Sequence, residues 1–156
     1  MSPRGHVDPA RVPYSAGMDN TVSVRPAIPG DRGAIAEFTT APCHWGDYVA
    51  DVFDEWLDRE DTFVAVAETG VRKPIALGAV RMLSPTEAWY SAARVNPKYR
   101  GRGIAAEVSR ALRAWARERG ALVGRLLVED WNKTAIRHIE RTGPRRVASV
   151  VWCTKP

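Results

Sequence analysis

From residue 22 onward, apolar residues follow either strand alternation or the spacing of an amphipathic helix. Strands are predicted at residues 22–26, 63–67, 75–82, 89–95, 122–128 and 147–152. Helices are predicted at residues 31–38, 49–57, 104–119 and 133–141. Trp89 and Trp115 are interpreted as core residues, and Trp56 falls on the apolar stripe of the helix at residues 49–57. The order of elements predicts a mixed α/β (α+β) domain with antiparallel strands first and one crossover later.

Composition places the chain among soluble globular proteins, because 45% of residues are hydrophobic and 26% are charged. Residues 1–20 hold three prolines and show no periodicity, so we expect a disordered leader before one domain over residues 21–156. No apolar run is long enough to span a membrane and no secretory signal is visible. Two cysteines cannot form a disulfide framework, so a cytoplasmic location is expected.

The most informative segment lies between the strand at 89–95 and the helix that starts at Ile104, where residues 100–105 read RGRGIA. Gly101 and Gly103 permit a close approach of the backbone to a ligand. The start of the helix adds free N–H groups and partial positive charge. Lys98, Arg100 and Arg102 add full charges, so the segment suits a diphosphate.

The element order and this loop together resemble the GNAT superfamily of acyl-CoA-dependent N-acetyltransferases. That family places Arg/Gln-x-x-Gly-x-Gly/Ala after its fourth strand, and residues 100–105 match each fixed position. Asn132 and Ala135 resemble the Asn-x-x-Ala that opens the family's fourth helix. The resemblance runs from about Val22 to Trp152. It implies a central mixed sheet with splayed fourth and fifth strands, and a C-terminal hairpin of which one strand is present.

The resemblance also implies acetyl-CoA as the cosubstrate and an amine, on a small molecule or a protein, as the acceptor. The loop N–H groups would bind the pyrophosphate, and backbone groups of Ala93 and Val95 would pair with the pantetheine like an added strand. Asn132 would bind the pantetheine arm, and an N–H near residues 91–93 would stabilise the oxyanion. The expected cofactor-binding residues are Ala93, Arg94, Val95, Lys98, Arg100, Gly101, Arg102, Gly103, Ile104, Ala105 and Asn132.

The implied chemistry is direct attack of a neutral amine on the thioester in a ternary complex, which needs a base and can use an acid. The candidates for the base are Glu129 and, through a water, Glu87. The tyrosine that commonly acts as the family's general acid corresponds to Ile139 in this chain. Water, His138 or Tyr90 therefore remain as proton donors to the thiolate.

Other interpretations are weighed beside this one. Gly101-x-Gly103-x-x-Ala106 also satisfies the Rossmann dinucleotide pattern, although that fingerprint normally opens a domain. A non-catalytic module that binds acyl-CoA is a second alternative. Cys43 and His44 lack metal-ligand spacing with the other candidates, so no metal is expected.

Partners are predicted from charge and from the sheet edge. The net charge of +5 favours anionic ligands, but nucleic acid ranks last because no recognised motif is present. An incomplete C-terminal hairpin would leave an exposed sheet edge. A homodimer formed by strand exchange is therefore a hypothesis, and no membrane partner is expected.

Overall fold

The structure, a computed structural model, describes residues 22–39, 46–70 and 72–151. These residues form two compact units, one that ends at Leu126 and one that begins at Leu127. The predicted leader, the Cys43-His44 pair and Trp152 lie outside the described residues.

The first unit is built on a five-stranded sheet whose neighbouring strands are, in order, β1 (Ser23–Pro26), β2 (Thr62–Glu68), β3 (Pro74–Ser84), β4 (Glu87–Val95) and β5 (Val123–Leu126). The first four strands pair antiparallel, and β4 pairs with β5 in parallel. The helix between β4 and β5 is the crossover that a parallel pair requires. The predicted mixed fold is therefore confirmed. The α-helices of this unit are α1 (Arg32–Thr39), α2 (Val49–Leu57) and α3 (Ile104–Glu118).

Two apolar clusters cover the two faces of this sheet. On one face, α3 buries Ile104, Val108, Leu112 and Ala116, which recur every four residues along one side of the helix. On the other face, Ile35 of α1 and Phe53 of α2 pack against strand residues.

Gly78 of β3 lets α3 approach the sheet closely. A Cβ at this position would lie 3.0 Å from Leu112 and 3.1 Å from Val108. The absence of a side chain at Gly78 therefore sets the distance between the helix and the strand that pairs with β4.

The second unit contains α4 (Lys133–Arg141), whose bounds match the predicted helix. The Asn132 side chain caps it by accepting a hydrogen bond from Ala135 N at 3.1 Å. The prediction of a strand at residues 147–152 is wrong for residues 147–151, which form no strand. A strand needs a paired neighbour for its backbone groups, and none of the described residues pairs with this segment. Its valines are exposed accordingly: Val147 by 79%, Val150 by 66% and Val151 by 79%.

The fifth strand is shorter than predicted, since β5 covers Val123–Leu126 rather than residues 122–128. Leu122 N and Val123 N both donate to Thr86 O, at 2.8 and 3.0 Å, which fixes the start of the strand. Four residues of β5 then pair with β4, from Glu87 to Tyr90. The pairing of β4 with β5 therefore covers only the first half of β4.

Candidate functional site

The strand β4 carries a bulge at its centre. Leu77 of β3 pairs with Arg94 and Ala79 pairs with Ser91, so both Ala92 and Ala93 face Gly78. Ala92 has a φ of 57°, in the left-handed region that residues other than glycine rarely occupy. Such a bulge adds one residue and bends the strand. The bulge thus begins where the pairing of β4 with β5 has ended.

Beyond Tyr90, β4 has one edge without a partner strand among the described residues. Asn96 N donates to Ile75 O at 2.8 Å, so Asn96 and, two residues earlier, Arg94 direct their backbone groups toward β3. The backbone groups of Ala93 and Val95 consequently face the open edge. Val95 O accepts from Arg100 Nε at 3.2 Å there.

The chain turns sharply after β4. Asn96 Oδ1 accepts from Lys98 N at 3.1 Å, and a single turn of 3-10 helix covers Pro97–Tyr99. The guanidinium carbon of Arg102 lies 5.3 Å from the centre of the Tyr99 ring, within reach of a cation–π contact. This turn brings the arginine–glycine loop to the start of α3.

Two glycines shape the loop itself. Gly101 has a φ of 77° and Gly103 a φ of 76°. A Cβ on either would meet nothing within 4 Å, so the dihedral angle and not crowding requires glycine. Gly103 caps α3, and its carbonyl accepts from Ala106 N at 2.9 Å.

A row of backbone donors results from this geometry. The five N–H groups from Gly101 to Ala105 have no acceptor among the described residues. Successive N–H groups in alternating left- and right-handed conformations bind anions. The N-terminal end of the α3 dipole adds partial positive charge at the same place.

Side-chain charge reinforces this anion site. Lys98, Arg100 and Arg102 are exposed beside the donors. The acidic residue in the first turn of α3, Glu107, forms an ion pair with Arg110. The repulsion that Glu107 would exert on a bound anion is thereby reduced.

A cavity of about 230 Å³ lies on the face of the sheet that carries α2. Tyr48 and Trp56 meet edge to face, with ring centres 6.1 Å apart. Burial raises the pKa of the Tyr48 hydroxyl, while Arg94 lowers it and Asp47 raises it to smaller extents. The residues that line the cavity are Tyr48, Trp56, Thr62, Ala79, Val80, Arg81, Trp89 and Ser91.

This cavity is not predicted from the sequence, because Trp89 is interpreted there as a core residue and Trp56 as part of an apolar helix stripe. Trp56 does pack against the cluster of α1 and α2, but it also lines the cavity. The available signal was the spacing of Trp89 and Ser91, which share one face of a strand.

Two of the predicted acid–base residues lie in the first unit. Glu87 Oε1 accepts from Arg125 Nη2 at 2.8 Å. Tyr90 packs against the cluster that contains α3, and a Cβ on Gly124 would lie 2.7 Å from its Cε2 atom. Burial raises the pKa of Tyr90, and the positive charges of Arg113 and Arg117 oppose this rise.

The other predicted site residues lie in the second unit. Glu129 O accepts from Asn132 N at 3.0 Å. Asn132 uses its side-chain oxygen for the helix cap, while its amide N–H groups have no acceptor among the described residues. His138 Nε2 is shielded from solvent and has no partner in the described part of the chain.

The described ranges contain neither a metal-binding cluster nor a membrane-spanning helix. No group of three or more His, Cys, Asp or Glu residues there has a metal-binding arrangement. No helix in the same ranges is both long and apolar enough to cross a bilayer.

Known proteins resemble this chain in sequence signature and in fold. Residues 32–143 match the signature of the acetyltransferase (GNAT) family. None of the curated proteins matches the sequence significantly. Among solved structures, a transcriptional regulator from Bacillus halodurans C-125 is 19% identical with a TM-score of 0.75. That match covers 86% of this chain and 99% of the regulator.

Two further structures with the same fold are described as aminoglycoside acetyltransferases. AAC(6')-Iy in complex with CoA is 14% identical, with a TM-score of 0.75 over 90% of this chain and 99% of that one. The enzyme meta-AAC0020, from an uncultured soil metagenomic sample and in complex with sisomicin, is 15% identical. Its TM-score is 0.65 over 86% of this chain and 97% of that one. At these identities the likeness concerns the fold.

Proposed function

The chain belongs to the acetyltransferase (GNAT) family, and from this premise we propose that it transfers an acetyl group from acetyl-CoA to an amine. The observation that carries the proposal is the row of five N–H donors from Gly101 to Ala105. This row directly follows a bulged strand with an open edge. One end of the site can thus bind a diphosphate and the other an extended amide chain.

The residues fit a CoA molecule. The donors of the loop would bind the pyrophosphate, with Lys98, Arg100 and Arg102 near the ribose phosphate. Ala93 and Val95 would pair with the pantetheine amides, because their backbone groups face the open edge. By the family resemblance Asn132 would also bind the pantetheine, and its role stays a prediction.

Acetyl-CoA supplies the acetyl group as a thioester. In the transfer an N–C bond forms at the amine, the C–S bond breaks with its electrons going to sulfur, and the amine loses a proton. The bulge at Ala92 frees the backbone locally from strand pairing, so an N–H of residues 91–93 would stabilise the negative charge on the carbonyl oxygen.

Glu129 is the proposed base in preference to Glu87. The carboxylate of Glu87 accepts a hydrogen bond from Arg125 at 2.8 Å, so this oxygen is less accessible to a substrate amine. Glu129 forms no ion pair with the described residues. Proton donation to the thiolate is assigned to His138 or water, since the ring of Tyr90 is packed against Gly124.

Calorimetry with CoA tests the cofactor site through Gly103→Glu, which would bring a negative charge to the anion site. The matched control is Gly103→Ala, because it introduces the same backbone strain without the charge. We expect Gly103→Ala to weaken CoA binding severalfold and Gly103→Glu to abolish it. Normal binding by Gly103→Glu, or preferential binding of NAD by the wild type, would refute the assignment.

A separate measurement distinguishes an enzyme from a non-catalytic acyl-CoA-binding module. Release of the CoA thiol is followed with acetyl-CoA and a panel of amines. The proposal expects amine-dependent release above the rate of hydrolysis. Tight CoA binding without release for any amine would favour the module.

A further inference from the structure

The aromatic cavity on the α2 face has the size of one ring. An apolar cavity of roughly 150 Å³ admits benzene. At about 230 Å³, this cavity has room for one six-membered ring and a short arm. Tyr48, Trp56 and Trp89 supply aromatic surface to such a ring.

The charges around the cavity disfavour a ligand with many positive groups. Arg81 is the sole charged residue among its described lining residues. No carboxylate is among the described lining residues, and several carboxylates on the neighbouring elements already form ion pairs with arginines. These pairs are Asp47 with Arg94, Glu55 with Arg59, Asp61 with Arg59 and Arg81, and Glu87 with Arg125.

One end of the cavity is formed by β4, the strand proposed to bind the cofactor. Ser91 lines the cavity and directly precedes Ala92, where the bulge begins. The Ser91 hydroxyl has no hydrogen-bond partner among the described residues. It can therefore bind a polar group at the end of a ligand whose ring lies between the aromatic side chains.

We propose that this cavity binds the acceptor, and that the acceptor is a small amine with one aromatic or apolar ring and no second cationic group. The ring lies among Tyr48, Trp56 and Trp89, and the amine lies near Ser91, beside the open edge of β4. This inference rests on the proposed acetyl transfer. An aminoglycoside carries several ammonium groups, and the described lining offers no carboxylate to bind them.

Direct binding tests the cavity without any turnover. Tryptophan fluorescence of the CoA-saturated protein is titrated with 2-phenylethylamine and, separately, with sisomicin. We expect 2-phenylethylamine to bind at least tenfold more tightly than sisomicin. Tighter binding of sisomicin, or no binding of 2-phenylethylamine, would overturn the inference.

Two serine variants locate the bound amine. Ser91→Phe fills the cavity and should raise the Kd of 2-phenylethylamine at least tenfold. Ser23→Phe, the same change in the outer strand β1, should leave it within twofold. Calorimetric CoA binding reports whether each variant is folded. If Ser91→Phe is not folded, Tyr48→Ala replaces it, because Tyr48 is 49% exposed, and a fivefold weakening is expected. An unchanged Kd in the folded variant would refute the site.

Thiol release with 2-phenylethylamine separates the two proposals. If 2-phenylethylamine binds in the cavity but no amine is acetylated, the transfer proposal fails while the binding site stands. If sisomicin is acetylated and 2-phenylethylamine is not, the transfer proposal stands and the acceptor class is wrong.

Discussion

Asp47 Oδ2 accepts a hydrogen bond from Arg94 Nε at 2.7 Å, and this ion pair joins the start of α2 to β4. The Asp47 side chain is 1% exposed, against 26% for Arg94. Its second oxygen accepts from Val49 N at 3.0 Å, in the first turn of α2. One buried carboxylate therefore fixes the helix that lines the cavity to the strand that leads into the anion-binding loop.

Removing the Arg94 side chain should destabilise the fold more than its partial exposure suggests. Arg94→Ala leaves the buried Asp47 carboxylate without its cation, at a cost of about 3 kcal/mol in the free energy of unfolding. In the Asp47→Ala background the same substitution should cost much less, because the pair is already broken. Urea denaturation of the four proteins measures this coupling, and additive losses would show that the pair contributes nothing.

Gly124 should be needed for the packing of Tyr90. A Cβ at Gly124 would lie 2.7 Å from Tyr90 Cε2, so Gly124→Ala must displace the ring. We expect Gly124→Ala to lower the free energy of unfolding by about 1–3 kcal/mol, and this loss should largely vanish in the Tyr90→Ala background. Gly30→Ala is the matched control, since a Cβ there meets no atom within 4 Å. Equal losses for Gly124→Ala and Gly30→Ala would argue against this contact.

The two glutamates proposed as bases should differ in their kinetic effect. Glu129→Gln is expected to lower kcat/KM by roughly 10²-fold or more. Glu87→Gln should change kcat/KM by less than tenfold, because Arg125 binds this carboxylate. The kcat/KM of thiol release, measured for both variants with a working amine, decides between them. A larger effect of Glu87→Gln than of Glu129→Gln would identify Glu87 as the general base.

Asp61 should contribute to acid sensitivity. The hydrogen bond from Arg59, with smaller contributions from Thr62 and Arg81, holds the pKa of Asp61 well below its usual range, against the effect of burial. A lowered pKa stabilises the fold above the ordinary carboxylate pKa, and this contribution is lost as the pH falls through the lowered value.

Melting temperatures measured between about pH 6 and 2 should thus fall less steeply for Asp61→Asn than for the wild type. Asp51→Asn, on the exposed side of α2, is the control and should follow the wild type. A slope for Asp61→Asn equal to that of the wild type would contradict the expected linkage.

Periodic features of the fold were predictable from the sequence. The bounds of α4 agree with the prediction because Asn132 gives a cap signal and an amphipathic stretch follows. The positive φ values of Gly101 and Gly103 follow from a loop that joins a strand directly to a helix.

Features that depend on partners far along the chain were not predictable. The bulge at Ala92 arises from the register with β3, and two adjacent alanines carry no signal for it. The cavity requires Tyr48 and Trp56 of one segment to meet Trp89 of another. Residues 147–151 have strand propensity, yet strand formation depends on a neighbour that the local sequence does not specify.

The extra residue at the bulge shifts the side-chain alternation of β4 by one position. Ser91 faces the cavity and Ala92 belongs to the cluster of α1 and α2, so two consecutive residues lie on one side. Beyond them, Arg94 reaches Asp47 and Val95 packs on the α3 side. If β4 paired regularly with β3 beyond Ser91, without the bulge, Ala93 rather than Arg94 would lie opposite Leu77, and Arg94 and Val95 would exchange faces. The ion pair with Asp47 and the packing of Val95 thus depend on the bulge absorbing one residue, and removing one of the two alanines would straighten the strand while leaving both side chains on their present faces.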